Sequence, residues 1–418
     1  MAYRLYGTIS VNIIFLRFLL LWRFSLPGLT LGPTMWSATN SWTLTALPMF
    51  IWMGEILTRS RLGEWMFQGL APWVQRIPGK LLHVNVFGSG IFAAICGSSA
   101  ATAATIGRIT LPELRRRGYD DFMLVGSLSG SGTLGLLIPP SITMIVYGVA
   151  AEVSIARLFM AGVIPGIVLM LLFALVVGIW AKAKRGSVPD ENDIPTDWKA
   201  RLQGAVKLLP VVLLIIFVVG TIYAGIATPT EAAVIGVAGA LVLSAVSGGF
   251  GWKEFTDSIA GAVLTNCMIG LILAGAAFMA TAMGFTQLPN YFATQVNGLH
   301  LSPAMLIVIL TFIYIIMGCF LDGISMVLLT AAVILPTVHA AGIDLLWFGI
   351  FIVLVVEMSQ VTPPVGLNLF VLQGLSGRSL GYVAAATLPF FFMLVVMVIL
   401  IWNIPELVSW LPDRMFSR

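Results

Sequence analysis

Residues 132–141 read Gly-Thr-Leu-Gly-Leu-Leu-Ile-Pro-Pro-Ser, and residues 359–368 read Ser-Gln-Val-Thr-Pro-Pro-Val-Gly-Leu-Asn. Both runs lie inside long apolar stretches. A proline pair in such a stretch removes backbone N–H donors and clashes with the preceding carbonyls, so it breaks a helix. Carbonyls released inside a membrane find no water and need other partners. The two runs therefore predict a pair of broken helices with polar backbone at midmembrane.

The composition places these breaks in a membrane protein. Of 418 residues, 59% are hydrophobic and 10% are charged, and the mean hydropathy is +1.00. A soluble chain of this length needs far more charge on its surface. A membrane span takes about 20 mostly apolar residues, and roughly ten such segments follow one another here, after an N-terminal membrane or interface helix predicted at Ile13–Trp22. We therefore expect an all-α, polytopic membrane protein in a lipid bilayer.

Several function classes find no support in the sequence. The formal net charge of +4 is small and indicates membrane topology rather than nucleic-acid binding. No Cys/His cluster has metal-ligand spacing, and no glycine-rich phosphate loop is present. No Ser/His/Asp pattern indicates a hydrolase. The chain is therefore not expected to be an enzyme or to hydrolyse ATP.

The proline pairs belong to an internal repeat. Turn and helix-breaking residues recur at a constant separation of 224 residues (363 minus 139, for example): Leu111-Pro112 with Leu335-Pro336, Gly118 with Gly342, Asp120 with Asp344, Pro139-Pro140 with Pro363-Pro364, and Pro165 with Pro389. Basic residues flank the first repeat, whereas no Lys or Arg occurs from Glu254 to Gly377. Because Lys and Arg favour the cytoplasmic side, the repeats are predicted to be inverted. Inverted repeats with broken helices are typical of secondary transporters, whose site lies near the midplane.

Two further polar breaks predict re-entrant helical hairpins. Cys96-Gly97-Ser98-Ser99 separates two apolar arms that are each too short to span, and Asp322 occupies the equivalent place in the second repeat. Ser98 or Ser99 would cap the second arm of the first hairpin, so that its N–H groups point at midmembrane. Ser141 would do the same after the first proline pair. We therefore predict that a substrate binds at Ser98, Ser99, Ser141 and Asp322.

The released carbonyls and nearby hydroxyls also suit a cation. Na⁺ prefers such hard oxygen ligands, whereas a proton needs no cage, so Na⁺ is favoured over H⁺ as the coupling ion. The Na⁺ candidates are Gly97, Ser98, Gly132, Thr133, Gly135, Ile138, Gly323, Thr362, Gly366 and Asn368. The alternative is a kinked helix whose Ser or Thr hydroxyls only satisfy backbone carbonyls, which we favour for Thr102 and Thr105.

Besides Asp322, three carboxylates lie within apolar segments, where an ionisable group is a functional candidate by default. Glu231 follows Thr228-Pro229-Thr230 and is predicted to be structural, near the start of its helix. Glu55 and Glu357 are open between proton sites, interhelix hydrogen bonds and partner contacts.

The ordered motifs resemble the large membrane subunit of the tripartite ATP-independent periplasmic (TRAP) transporters. The resemblance runs from Ala46 to Ile401 and rests on Leu47–Leu57, Cys96–Thr105, Gly118-Tyr119-Asp120, Gly132–Ser141, Leu158–Gly162 with Pro165-Gly166, Thr228–Ala232, Asp322–Met326 and Thr362–Phe370. It implies an elevator-type, Na⁺-coupled importer in the bacterial inner membrane, without an organic cofactor. The implied cargo is an organic acid such as a C4-dicarboxylate, sialic acid or a sugar acid. The implied partners are a small four-helix membrane subunit and a soluble periplasmic substrate-binding protein.

The resemblance also implies a division of the chain. Residues 1–75 would form N-terminal scaffold helices, and residues 166–283 further scaffold helices with a cytoplasmic loop. Residues 76–165 and 284–389 would be the two repeats of a mobile transport domain, each with its hairpin. Residues 390–418 would end the last helix and form a tail.

The sequence leaves one alternative function open and argues against two others. A tripartite tricarboxylate-type transporter or a single-component anion symporter is the nearest alternative, and neighbouring genes for a four-helix membrane protein and a periplasmic solute-binding protein would discriminate. A membrane-embedded enzyme would need catalytic groups clustered near one interface. A channel would need a continuous polar lining rather than isolated midmembrane breaks.

Overall fold

The computed structural model describes residues 26–184, 188–189, 195–285 and 301–416, together with positions 287, 291, 294, 295 and 298. All regular structure in these described residues is helical, as the sequence predicts. The N-terminal helix predicted at Ile13–Trp22 lies outside them.

The helices follow one another with short connections. In chain order they are α1 (Leu26–Thr39), α2 (Ala46–Thr58), α3 (Leu62–Val74), α4 (Leu82–Cys96), α5 (Ser99–Arg116), α6 (Asp121–Gly132), α7 (Leu134–Leu137), α8 (Ile142–Ala150), α9 (Ile155–Ala183), α10 (Trp198–Tyr223), α11 (Pro229–Ser247), α12 (Trp252–Phe285), α13 (Pro303–Gly318), α14 (Gly323–Ala340), α15 (Leu345–Gln360), α16 (Leu367–Ser376), α17 (Leu380–Asn403) and α18 (Glu406–Phe416). A short 3₁₀ helix, Trp42–Thr45, precedes α2.

Six of the described helices are long and apolar enough to cross a membrane: α9, α10, α11, α12, α14 and α17. The pair formed by α6–α7 and α8 counts as a seventh span, bent by 40° at the first proline pair. The shorter apolar helices α4, α13, α15 and α16 are the hairpin arms and broken-helix halves expected from the sequence. Both proline pairs therefore interrupt helices, because the ring removes the donor that would continue the ladder.

The internal repeat is confirmed by the helix bounds. Helix α5 and helix α14 match at both ends with the separation of 224 residues, and α6 and α15 begin at Asp121 and Leu345, the same distance apart. The caps repeat as well. The Asp120 carboxylate accepts from the N–H of Met123 at 3.1 Å, and the Asp344 carboxylate accepts from that of Trp347 at 2.8 Å. Equivalent acidic N-caps start the two equivalent helices.

The two repeats contact each other in an inverted arrangement. Helix α5 of the first repeat packs against α16 of the second, and α14 of the second packs against α8 of the first. The end of α8 then meets the start of α15, where the Tyr147 hydroxyl donates to the Leu345 carbonyl at 2.7 Å. At the basic end of the molecule, the end of α16 meets the start of α6. The end of α8 meets the start of α15, and the end of α16 meets the start of α6. The same contact therefore occurs twice with the two repeats exchanged.

A cluster of charged groups, here the cytoplasmic brace, joins the repeats at that basic end. It consists of Arg115, Asp121, Ser376 and Arg378. Asp121 accepts from Arg115 Nε at 2.6 Å and from Arg378 Nε at 2.7 Å, and Arg115 also donates to the Ser376 carbonyl at 2.9 Å. The hydrogen bond and negative charge of Asp121 raise the pKa of Arg378. The brace fixes the cytoplasmic ends of α5, α6 and α16 to one another.

The remaining helices surround this paired core. Helix α2 packs against α11 and α12, and α10 packs against α3 and α11. Helix α9 packs on α4, α17 and α18 rather than mainly on α10. The outward face of α10 exposes apolar side chains such as Leu209, Leu213 and Phe217. The predicted domain boundaries at residues 75, 165, 283 and 389 stay predictions.

Candidate functional site

The tip of the first hairpin contacts the first proline break through backbone. Gly97 joins α4 to α5 with a φ of +62°, a conformation that favours glycine. Its carbonyl accepts from the N–H of Ile142 at 3.3 Å, and a Cβ on Gly97 would lie 2.6 Å from the Pro140 carbonyl oxygen. A Cβ on Gly135 would lie 2.6 Å from the Ser98 carbonyl oxygen. The structure thus brings together Gly97, Ser98 and Gly135 of the predicted site.

The tip of the second hairpin contacts the second proline break through side chains. The Cys319 thiol donates to the Pro363 carbonyl at 3.2 Å. A Cβ on Gly318 would overlap the side chain of Ser359, and one on Gly323 would overlap that of Val356. The same Cβ on Gly323 would lie 3.4 Å from Nε2 of Gln360. Each tip is therefore packed against the break of its own repeat.

The polar residues at the two tips and after the first proline pair differ in whether they cap their helices. Asp322 caps α14, and its carboxylate accepts from the Ser325 N–H at 3.2 Å and the Ser325 hydroxyl at 2.5 Å. Ser141 caps α8 by accepting from the Met144 N–H at 3.3 Å, and it is fully buried. Ser98 occupies the N-cap position of α5 in extended conformation, but its side chain makes no capping bond. The first turn of α5 therefore has no side-chain cap from Ser98, contrary to the sequence expectation.

Helix α5 carries a line of buried hydroxyls that find no hydrogen-bond partner in the described part of the chain. They belong to Ser99, Thr102 and Thr105. The sequence interpretation that Thr102 and Thr105 satisfy backbone carbonyls is therefore wrong. A buried polar group without a partner costs about 1–3 kcal/mol, so three on one helix call for a ligand or another function.

Asn368 completes this polar region from the second repeat. It is fully buried near the start of α16, and neither its amide oxygen nor its amide nitrogen has a partner among the described residues. A Cβ on Gly107 of α5 would lie 3.2 Å from Leu375 of α16, and both helices run towards the brace. Asn368 lies in the first turn of α16, which packs side by side with α5. Asn368 and the first turn of α5 thus lie at the ends of two packed helices that are remote from the brace.

The other Na⁺ candidates lie at the two breaks. Thr133 donates to the Gly130 carbonyl at 2.8 Å, and Thr362 donates to the Met358 carbonyl at 2.6 Å. Each hydroxyl keeps its lone pairs, as a cation ligand requires. Ile138 ends α7 in extended conformation, and Gly366 precedes α16 with a φ of +36°. Gly132 allows close approach of α5, since a Cβ there would lie 2.7 Å from Cβ of Ala103.

The oxygen chemistry of this region fits Na⁺. Hydroxyl oxygens of α5, the Asn368 amide oxygen and carbonyls at the breaks are hard donors, the type that binds alkali and alkaline-earth cations. Their lack of protein partners leaves lone pairs available. Ser99, Thr102 and Asn368 supply oxygens of this kind without a partner in the described residues, and the Ser98 carbonyl already accepts from the Thr102 N–H. The arrangement can also present unpaired helix N–H groups to an anion.

The structure gives Glu231, Glu55 and Glu357 three different environments. Glu231 forms a capping box with Thr228, which confirms its structural role. Glu55 pairs with Arg59 at 2.9 Å on a partly exposed surface. Glu357 is fully buried, and neither carboxylate oxygen has a partner in the described residues. Gln360, within the quoted break but not chosen from the sequence, also leaves its amide oxygen without a described partner.

Comparison with known proteins gives the same picture. Residues 1–407 match the family model described as "Tripartite ATP-independent periplasmic transporter, DctM component". The C4-dicarboxylate TRAP transporter large permease protein DctM of Pseudomonas aeruginosa is 34% identical over 389 residues, covering 92% of this chain and 89% of that protein. The ectoine/5-hydroxyectoine TRAP transporter large permease protein UehC of Ruegeria pomeroyi is 29% identical over 381 residues, covering 90% and 87%.

A solved structure also shares the fold. The crystal structure of the Alcanivorax borkumensis YdaH transporter matches with a TM-score of 0.63 at 12% sequence identity. The match covers 91% of this chain and 87% of that one. At this identity the likeness concerns the fold alone.

Proposed function

Since this chain belongs to the tripartite ATP-independent periplasmic transporters, as their DctM component, we propose that it imports a small organic acid anion by Na⁺-coupled secondary transport. The chain is a multi-pass inner-membrane transporter and not an enzyme. The observation that supports coupled transport is the set of buried oxygens of Ser99, Thr102 and Asn368, on two helices that join the repeats, which have no partner in the described residues. Such groups are costly unless a ligand binds them during the cycle.

The proposed cargo carries a carboxylate. The first turn of α5 lacks a cap from Ser98, so its N–H groups and the positive end of the helix dipole are available to an anion. Relatives of this chain are named for C4-dicarboxylates and for ectoine. We favour a C4-dicarboxylate, with sialic acid and sugar acids in the same class. Asp322 would accept hydroxyls of the cargo or balance a nearby Na⁺ while it caps α14.

The proposed mechanism is an elevator motion of the paired repeats. The cytoplasmic brace and the Tyr147–Leu345 contact hold the two repeats together, so they would move as one transport domain against α2, α3 and α10–α12. A tripartite system implies a small membrane subunit and a periplasmic binding protein. The exposed apolar face of α10 would contact the small four-helix subunit or lipid. The binding protein would deliver cargo to the periplasmic side.

Na⁺ dependence is the direct test of this function. We expect uptake of a radiolabelled C4-dicarboxylate into proteoliposomes to require an inward Na⁺ gradient, the small subunit and the binding protein. The physical reason is that the unpartnered oxygens need a cation before the cargo carboxylate can bind near them. Full uptake in Na⁺-free buffer under a proton gradient alone would contradict the proposal. Full uptake by the purified chain without partners would favour a single-component symporter instead.

Replacing Ser99 with alanine tests the unpartnered hydroxyls. We expect Ser99→Ala to lower the rate of Na⁺-driven uptake roughly twofold to tenfold, which corresponds to the loss of one interaction worth about 0.5–1.5 kcal/mol. The variant should also raise the Na⁺ concentration for half-maximal uptake. The melting temperature should stay constant or rise, because the variant removes a buried hydroxyl without a described partner. Ser98→Ala and Ser141→Ala should weaken uptake to a similar extent.

Thr110→Val is the matched control for Ser99→Ala. Thr110 is buried on the same helix, but its hydroxyl donates to the Ile106 carbonyl at 3.0 Å. We expect this control to keep the wild-type Na⁺ dependence. If Ser99→Ala and Thr110→Val give the same Na⁺ dependence, Ser99 is not part of the cation site.

A further inference from the structure

Glu357 differs from the other carboxylates described above by having no compensation. It lies in the last turn of α15, with no exposed surface and no hydrogen-bond partner among the described residues for either oxygen. By contrast, Glu55 pairs with Arg59, Glu113 pairs with Arg116 and Arg117, and Glu231 caps its helix. Nothing in the proposed Na⁺ and substrate site uses Glu357.

No described charge on the neighbouring helices compensates Glu357. Helix α15 packs against α7, α8, α9, α13, α14, α16, α17 and α18. The described charged or titratable side chains on these helices and at their caps are Asp322, Asp344, Tyr147, Tyr314, Tyr382, Arg157, Lys182, Lys184, His339, Cys319, Glu406, Asp413 and Arg414. Lys184 pairs with Asp120 at 3.0 Å. Arg157 pairs with Asp413 at 3.6 Å, while Lys182 and His339 are exposed at helix ends. Tyr147 and Tyr314 bond to Leu345 and Thr330.

An ionised carboxylate in such surroundings is very costly. Burying a bare charge carries a penalty that a protein normally avoids by neutralising the group. In this conformation the Glu357 carboxyl is therefore neutral, with a proton on one oxygen. This proton can leave only in another conformation, one in which water reaches the carboxyl group.

A row of polar groups leads from Glu357 to the tip of the second hairpin. Gln360 lies on the next turn of α15, where residues three apart are neighbours, and its amide oxygen has no described partner. Its amide nitrogen lies beside Gly323, which follows the half-buried Asp322. Gly323 also packs on Val356, the residue before Glu357, so the tip covers the turn of α15 that carries Glu357. A tip that lifts from Val356 and Gln360 uncovers this turn of α15.

We propose that Glu357 is a proton-binding site that opens and closes with the second hairpin, so that each cycle carries a proton beside Na⁺. The inference rests on the proposed function. Water on the periplasmic side supplies the proton, an O–H bond forms at the Glu357 carboxyl, and the bond breaks to release the proton to cytoplasmic water. The carboxyl is neutral whenever the tip covers it.

Proton movement can be measured together with cargo uptake. The complete transporter is reconstituted in vesicles with a pH-sensitive dye in the lumen, the membrane potential clamped by K⁺ and valinomycin, and a Na⁺ gradient driving radiolabelled dicarboxylate. We expect the wild-type lumen to acidify in step with uptake. Glu357→Gln, which resembles the protonated carboxyl in shape, should keep cargo exchange at least half as fast but lose the acidification. Glu357→Asp should retain acidification.

Glu231→Gln is the control, since this carboxylate lies on an exposed cap, and it should acidify the lumen like the wild type. Na⁺-driven uptake by the wild type without acidification would overturn the proton site. So would equal acidification by Glu357→Gln and wild type. A higher Na⁺ requirement of Glu357→Gln without any wild-type acidification would instead make Glu357 a Na⁺ ligand. Failure of the proposed function gives a different result, namely no Na⁺-driven uptake by the wild type.

Discussion

Asp322→Asn is expected to reduce uptake about 10- to 100-fold while the protein folds and assembles normally. Asparagine is as good an N-cap as aspartate, so the Ser325 N–H keeps an acceptor and α14 keeps its start. The variant removes only the charge, which strengthens the short bond from the Ser325 hydroxyl and would balance a cation or accept cargo hydroxyls. Hydrogen bonds to a charged group are worth about 1.5–3 kcal/mol, which corresponds to the expected loss.

The measurement is initial-rate uptake with thermal unfolding of the same preparation. Asp322→Ala should lose uptake almost completely and also lose about 0.5–2 kcal/mol of stability, because the cap is gone. Asp344→Asn is the matched control, since Asp344 caps α15 in the same way on an exposed surface. Near-normal uptake by Asp322→Asn would show that the acidic tip only caps its helix, and the substrate assignment would fall with it.

Gly135→Ala is expected to lower uptake at least tenfold. Gly135 lies inside α7 with ordinary helical conformation, so alanine adds no backbone strain there. Its Cβ would lie 2.6 Å from the carbonyl oxygen of Ser98 and 2.9 Å from the N of Ser99, both backbone atoms that cannot rotate away. The tip of the first hairpin must therefore move off the first break. Overpacking of this kind costs roughly 1–3 kcal/mol.

Gly270→Ala provides the control for this variant. Gly270 lies within α12, and a Cβ there meets nothing within 4 Å. We expect wild-type uptake and equal or higher stability, because alanine favours a helix over glycine. Gly97→Ala should be worse than Gly135→Ala, since it combines a contact at 2.6 Å with a positive φ. Wild-type uptake by Gly135→Ala would mean that the packed tip is not part of the transport cycle.

Local chemistry explains how much of the fold could be predicted from the sequence. Proline, glycine and acidic caps act on the backbone beside them, so the 224-residue separation predicted the equivalence of α5 with α14 and of α6 with α15. The tips at Gly97 and Asp322 followed from the same kind of signal.

The parts of the site that could not be predicted depend on contacts between distant helices. Asn368 was chosen from the sequence, but its place on a helix that packs against α5 depends on contacts between helices far apart in the chain. The unpartnered state of Thr102 and Glu357 likewise depends on which helix faces them. Ser98 has the extended backbone that is usual for an N-cap but makes no capping bond, whereas Ser141 caps α8 with a similar backbone, so the residue type and its place in the chain do not decide the cap. Spacing along the chain carries none of this information.

The cytoplasmic brace determines how far the tip of the first hairpin moves when α5 tilts. Arg115 is held at one end of α5 and Ser99 starts the other, so the helix is a rigid arm of about 24 Å between them. A tilt of α5 by about 5° around Asp121 therefore moves the hairpin tip by about 2 Å. The distances between the charged groups of the brace hardly change, because these groups lie next to the axis of the tilt. That swing is enough to separate Gly97 from Pro140. The tip can thus be released by a rotation too small to break the ion pairs that hold the two repeats together.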